Sequence, residues 1–289
     1  MFAAALDDAA ARVQARFDAV FADLPDSPIA RGMRYALQGG KGLRGFLVLE
    51  SARLHGLPPE RADHAAAAIE ALHAYSLVHD DLPCMDDDAL RRGRPTVHVK
   101  WDEGSAVLVG DALQTLAFDL LARPGCAPDP AVRADLVLSL ARAAGITGMV
   151  LGQAQDIAAE TAATPLTLDQ VVALQRNKTG ALIGWSAEAG ARLTGADPAP
   201  MSAYAGALGL AFQIADDILD VTGDTATAGK QLHKDAEAGK ATFVGLLGLD
   251  GARARAKSLV AEAEAALAPF GPDAEQLRHA ARFVISRDH

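Results

Sequence analysis

Apolar residues recur at spacings of three and four along most of this chain. The clearest stretches are 62–79, 105–122, 130–144, 168–193 and 201–221. That period predicts amphipathic or buried helices, and no convincing strand alternation competes with it. The breaks carry turn chemistry: Gly-Leu-Pro-Pro at 56–59, Arg-Pro-Gly at 123–125, Ala-Thr-Pro at 163–165 and Gly-Ala-Asp-Pro at 195–198. Thr167 precedes Leu168-Asp169-Gln170, a Thr-x-x-Gln capping box that predicts a helix start. No Ser/Gly/Pro-rich linker and no repeat of fixed period divides the chain. The expectation is one all-α domain over residues 1–289, with about ten or more helices.

The first residues, MFAAALDDAAARVQARF, place no basic region ahead of an apolar core, so they predict an amphipathic helix and not a signal peptide. The longest apolar stretch, 203–215, is broken by Gln213 and runs into aspartates, which is too short and too polar for a bilayer span. A soluble protein without stable membrane insertion is expected. Composition adds two exclusions. The net charge of −10 argues against a nucleic-acid backbone as main partner. Cys84 and Cys126 form no framework of spacings, so a reducing cytoplasm is the expected compartment. Cys84 suits a hard cation poorly and is expected to be a small filler.

Two aspartate clusters carry the chemistry. DDLPCMDDD spans 80–88 and is followed by RRGRP at 91–95; DDILD lies at 216–220. Carboxylates crowded this way resist ionising together and call for cations between them. Magnesium fits, since it takes carboxylate oxygens, water and phosphate. Arg91 and Arg92 add guanidinium forks matched to phosphate. Pro83 disrupts or ends the preceding helix, which puts Asp80 and Asp81 near a helix C-terminus, where the macrodipole also favours cations. An acidic run is usually a solvated turn, but here an apolar helix runs straight into the acids and an arginine pair follows. Gln213, Asp216, Asp217 and Asp220 share one helix face at i, i+3, i+4 and i+7. A solvated face would explain an isolated pair of aspartates, but not this stripe followed by Lys230, Lys234 and Lys240.

Weaker signals surround these. In GGKGLRG, 39–45, Lys41 and Arg44 present two cations beside a glycine loop. His73 lies seven residues before Asp80 on the same face, and with Glu70 forms a single Glu-x-x-His. A ferritin-type di-iron site needs two such motifs, and no second one occurs. Lys178-Thr179-Gly180 interrupts a helical stretch, consistent with a kink turning Lys178 and Thr179 inward or with a surface lysine. Gln153 and Asp156 share a face with Met149, as a polar pair at a pocket or as helix-end hydrogen bonds.

These motifs, in this order, resemble the trans-isoprenyl diphosphate synthase family, most closely its bacterial farnesyl diphosphate synthase (geranyltranstransferase) branch. The resemblance runs from GGKGLRG through HAYSLVHDDLPCMDDDALRRGRPT, GDALQTLAF, GQAQD, KTG and FQIADDILDVTGD to the terminal FVISRDH. It implies helices packed around a deep central cavity, in a homodimer, and a magnesium-dependent condensation of isopentenyl diphosphate with dimethylallyl or geranyl diphosphate. An allylic carbocation forms, diphosphate departs, and trans farnesyl diphosphate results. The resemblance also assigns roles. Asp80, Asp86, Asp216 and Asp220 would be metal ligands for three magnesium ions, with Asp81 and Asp217 in the catalytic set. Arg91, Lys178 and Lys240 would hold the allylic diphosphate. Lys41, Arg44, His73 and Arg92 would hold isopentenyl diphosphate, and Thr179, Gln213 and Lys230 would line the same site. One departure is His233 before Lys234-Asp235, where the family often has glycine.

Product length is expected to depend on Tyr75, with Ser76 beside it. Tyr75 precedes Asp80 by five residues, roughly 7.5 Å along a helix. An aromatic there, with the two-residue insertion in the first motif, accompanies the fifteen-carbon product in the family. The alternatives are a geranylgeranyl diphosphate synthase, a class I terpene cyclase, whose second motif would mix Asn, Ser and Glu, and an inactive partner subunit, which would lose aspartates.

Overall fold

The computed structural model describes residues 2–162, 164–223 and 241–286. Helices α1 (Phe2–Ala22), α2 (Pro28–Ala36) and α3 (Leu43–Leu54) lead into α4 (Asp63–Asp80). A two-residue hairpin, Leu90–Arg91 with Arg94–Pro95, and the single turn α5 (Val97–Lys100) connect to α6 (Glu103–Ala122). Then come α7 (Pro130–Ala144), α8 (Met149–Glu160), α9 (Leu168–Gln175), a π-helical turn (Arg176–Gly180), α10 (Ala181–Thr194) and α11 (Ala199–Thr222). Helix α12 (Phe243–Ala266), a short 3₁₀ segment (Ala268–Ala274) and α13 (Glu275–Ser286) close the described part.

Helix α4 is the axle. Ala65, Ala66, Ala67, Ala68, Ile69, Ala71 and Leu72 are all fully buried. A helix apolar on every side belongs in the middle of a bundle. Helices α1, α2, α3, α6 and α10 pack around it. The small alanines bring these neighbours close, and Leu113, Leu120 and Leu121 of α6 fill the layer beside it. On the far side α11 packs along α12, and Tyr204 buries its ring while donating to Leu277 O at 2.8 Å.

The helix starts follow local chemistry. Ser27, Asp102, Asp129 and Thr242 accept from the first turns of α2, α6, α7 and α12. Thr167 and Gln170 form the expected capping box. Among the described residues the hairpin is the one departure from the all-helical expectation; its strands are too short to show an alternation. Two stretches among the described residues are long and apolar enough to cross a bilayer, Glu103–Ala122 and Pro130–Glu160. The first packs on α4 in the core, and the second is two helices separated at Gly145.

Candidate active site

The end of α4 builds the first half of the site. Asp81 is its C-cap, and the acidic loop folds back onto the helix terminus. Asp86 N donates to Asp80 O at 2.8 Å, and Asp88 N to Asp81 O at 3.2 Å. The carboxylates of 80–88 therefore gather at the negative end of a helix dipole. Burial pushes the Asp80 carboxyl up to about 6, with Asp86 and Asp81 adding to the rise and Lys178 and Arg91 opposing it. Burial raises Asp81 too, against the hydrogen bond from Arg91. Burial thus works against the charged form of Asp80 and Asp81, and a bound cation would favour it.

The arginines arrive on the hairpin. Arg92 at φ 54° makes the turn and donates to Gln38 O at 3.2 Å. Arg91 Nε donates to Asp81 Oδ1 at 2.6 Å, and its guanidinium reaches Asp88 at 3.6 Å. Tyr35 pins the hairpin: its hydroxyl donates to Pro95 O at 2.7 Å, and Arg94 and Lys100 both lie 3.9 Å from its ring centroid.

Lys41 and Arg44 flank the start of α3. The N-cap there, Gly42, has no side chain to cap with; Glu70 of α4 substitutes, accepting from Gly45 N at 2.8 Å. Arg44 Nε is buried with no hydrogen-bond partner among the described residues. Burial holds the Arg44 guanidinium below its ordinary pKa against the charges of Glu70 and Asp216, with Arg92 adding to the fall, so Asp216 lies within electrostatic reach of it. His73 is held well below its ordinary pKa by burial and then by Arg44, Arg92 and Arg91, so it presents a neutral imidazole. Glu70, His73 and Arg92, with Gly39, Gly40 and Gly42, line a cavity of about 300 Å³.

The π turn supplies the other wall. Lys178 Nζ pairs with Asp156 Oδ2 at 2.6 Å, and Thr179 Oγ1 donates to Gln213 Oε1 at 3.0 Å. Both residues are turned inward, and Asp156 proves to be the counter-ion of Lys178. π turns in helices cluster at functional sites. The acidic stripe of α11 is less uniform than its spacing predicts: Asp217 is buried, and its Oδ2 accepts from Phe243 N at 2.7 Å, anchoring the start of α12. Lys230, Lys240 and the His233-Lys234-Asp235 departure lie outside the described residues.

Below the rim opens a second cavity of about 610 Å³. Arg44, His73, Asp80, Lys178 and Thr179 stand on its wall, as do Tyr75, Ser76, Met85, Val107, Met149 and Ile157. Charge at one part and aliphatic lining elsewhere suit a ligand with an anionic head and a hydrocarbon tail. Cys84 is exposed and lines this cavity, so it is not packed away as a filler. His79, beside Tyr75, also lines it, and no spacing in the sequence singles it out.

Magnesium is tested by the donor set. Among the described residues no three His, Cys, Asp or Glu side chains already converge as a cage. Magnesium keeps several waters and takes one or two carboxylates plus phosphate, so it needs no cage of protein ligands. The hard, charge-crowded carboxylates at 80–88, with Asp216 and Asp220, fit that habit.

A family model for polyprenyl synthetase matches residues 26–268. The chain belongs to the polyprenyl synthetase family. It is 46% identical over 276 residues to the farnesyl diphosphate synthase of Escherichia coli (strain K12), covering 91% of this chain and 90% of that one. An FPP/GFPP synthase from Zymomonas mobilis superposes with a TM-score of 0.90 at 44% identity, over 98% of both chains. A Helicobacter pylori geranyltransferase, solved with magnesium and isoprenyl diphosphate, superposes at 0.80 with 34% identity, over 97% of this chain and 96% of that one.

Proposed function

We propose that the chain is a prenyltransferase that joins isopentenyl diphosphate to an allylic diphosphate and releases farnesyl diphosphate. One observation carries this: an aliphatic cavity runs down from a rim where the acidic loop at Asp80, Arg44, His73 and Lys178 meet. Magnesium, three ions in all, would be held by Asp80, Asp86, Asp216 and Asp220, and would neutralise charge building on the departing diphosphate. Arg91, Lys178 and Lys240 orient the allylic diphosphate. Lys41, Arg44, His73 and Arg92 seat isopentenyl diphosphate, with Thr179, Gln213 and Lys230 along the same site. Asp81 and Asp217 are positioning groups, the first through Arg91 and the second through α12. The aliphatic lining keeps water from the allylic cation. The departing diphosphate takes the proton, so no protein base is required. A homodimer in the cytoplasm completes the proposal, with Leu108 and Ile146, both solvent-facing here, on the surface a partner would cover.

The test is incubation with magnesium, isopentenyl diphosphate and geranyl diphosphate, followed by product sizing. The expected product is farnesyl diphosphate. Diphosphate release with a hydrocarbon and no condensation would replace the proposal with a cyclase. Tyr75→Ala removes the ring from the cavity wall and is expected to shift product toward twenty carbons and beyond. A cavity discriminates a methylene by about 1–3 kcal/mol, so a five-carbon unit is strongly sensitive to such space. An unchanged chain length in Tyr75→Ala would remove Tyr75 as the floor.

A further inference from the structure

We infer that His79 is a positioning residue for product length: seated against Gly110 of α6, its imidazole holds the Tyr75 ring as the cavity floor. This rests on the prenyltransferase function proposed above.

The two rings meet edge to face, with centroids 5.2 Å apart and planes at 81°. That geometry aims a ring edge at a π face and favours one orientation of the pair. His79 is itself tied down. Its Nε2 lies 3.1 Å from Val107 O. A carbonyl only accepts, so Nε2 carries the proton in this contact. A Cβ on Gly110 would fall 2.0 Å from His79 Nε2 and 2.3 Å from Cδ2. The imidazole thus occupies the space that any other residue at 110 would fill. Helix α6 holds His79, and His79 holds Tyr75, while Tyr75, His79 and Val107 all line the 610 Å³ cavity. Tyr75 alone has other staggered rotamers open to it; the imidazole edge selects among them.

The experiment sizes the products of wild type and five variants from isopentenyl and geranyl diphosphates, alongside thermal melts. Wild type is expected to stop at fifteen carbons. His79→Ala is expected to raise the ratio of twenty- to fifteen-carbon product about tenfold, the scale of one lost aromatic contact. Tyr75→Ala/His79→Ala is expected to match Tyr75→Ala, because His79 acts through that ring. Gly110→Ala is expected to melt lower than wild type, and His79→Ala/Gly110→Ala to recover part of that loss, because the clash needs both groups. Fifteen-carbon product alone from a folded His79→Ala would overturn the inference. So would further lengthening in Tyr75→Ala/His79→Ala, which would put His79 against the tail itself. No prenyl product from wild type would instead overturn the proposed function.

Discussion

Asp80→Asn is expected to slow condensation about 10³-fold and, at the same time, to stabilise the metal-free protein at pH 7. The Asp80 carboxyl sits near 6 against an ordinary 3.8, mainly because it is buried. Between those values the folded protein binds more protons here than the unfolded chain does. The contribution to stability is therefore full below about pH 4 and falls as pH rises toward 6. Above that, the ionised group costs the fold up to about 3 kcal/mol, at roughly 1.36 kcal/mol per pKa unit. Asparagine keeps the shape and removes the titration. Melts in chelator should place the variant above wild type at pH 7 and bring the two together below pH 4. Magnesium with diphosphate should raise the melting point of wild type by binding the folded state, and raise the variant far less. Turnover should fall by about 10³-fold, the scale of a lost electrostatic anchor in a water-excluded site. Retained turnover would remove Asp80 from the metal set. A lower melt at pH 7 would show that the carboxylate is satisfied without metal.

That combination, a costly charge kept in place, marks where local sequence rules are broken for function. It also separates what was legible in the sequence from what was not. Helix α7 begins and ends where its periodicity predicts, at Pro130 and Ala144. Proline at the start and a capping aspartate are local signals, complete within a few residues. The interruption at Lys178 was legible as a kink; that it is a π turn depends on packing against α8, which no local pattern encodes. Periodicity placed Asp217 with Asp216 and Asp220, but a shared face says nothing of partners, and Asp217 serves a backbone amide 26 residues away. The hairpin that carries Arg91 and Arg92 has two-residue strands, too short for alternation to register, and is held instead by Tyr35 from α2. His79 is not legible in the sequence because its determinant, Gly110, lies on another helix and acts by having no side chain.

Gly152→Ala is expected to lower kcat/KM for the allylic substrate about 100-fold although residue 152 carries no functional group. Helix α8 crosses the π turn at backbone contact: a Cβ on Gly152 would lie 2.1 Å from Lys178 N and 2.4 Å from Lys178 Cα. Those are main-chain atoms, so no rotamer change relieves the overlap; α8 or the turn must move, at a typical cost of about 1–3 kcal/mol. Either movement strains the Lys178–Asp156 pair at 2.6 Å and the Thr179–Gln213 bond at 3.0 Å. Those bonds aim a cation and a hydroxyl into the cavity, and a displacement of about 1 Å in such groups costs on the order of 10²-fold in rate. Steady-state kinetics and melts on Gly152→Ala measure both effects. Gly206→Ala is the control. It is exposed on α11 with nothing within 4 Å of an added Cβ, so it should gain about 0.5–1 kcal/mol of helix stability and leave kinetics alone. A Gly152→Ala enzyme that melts lower yet turns over like wild type would mean that Lys178 reaches its substrate without the π turn to aim it.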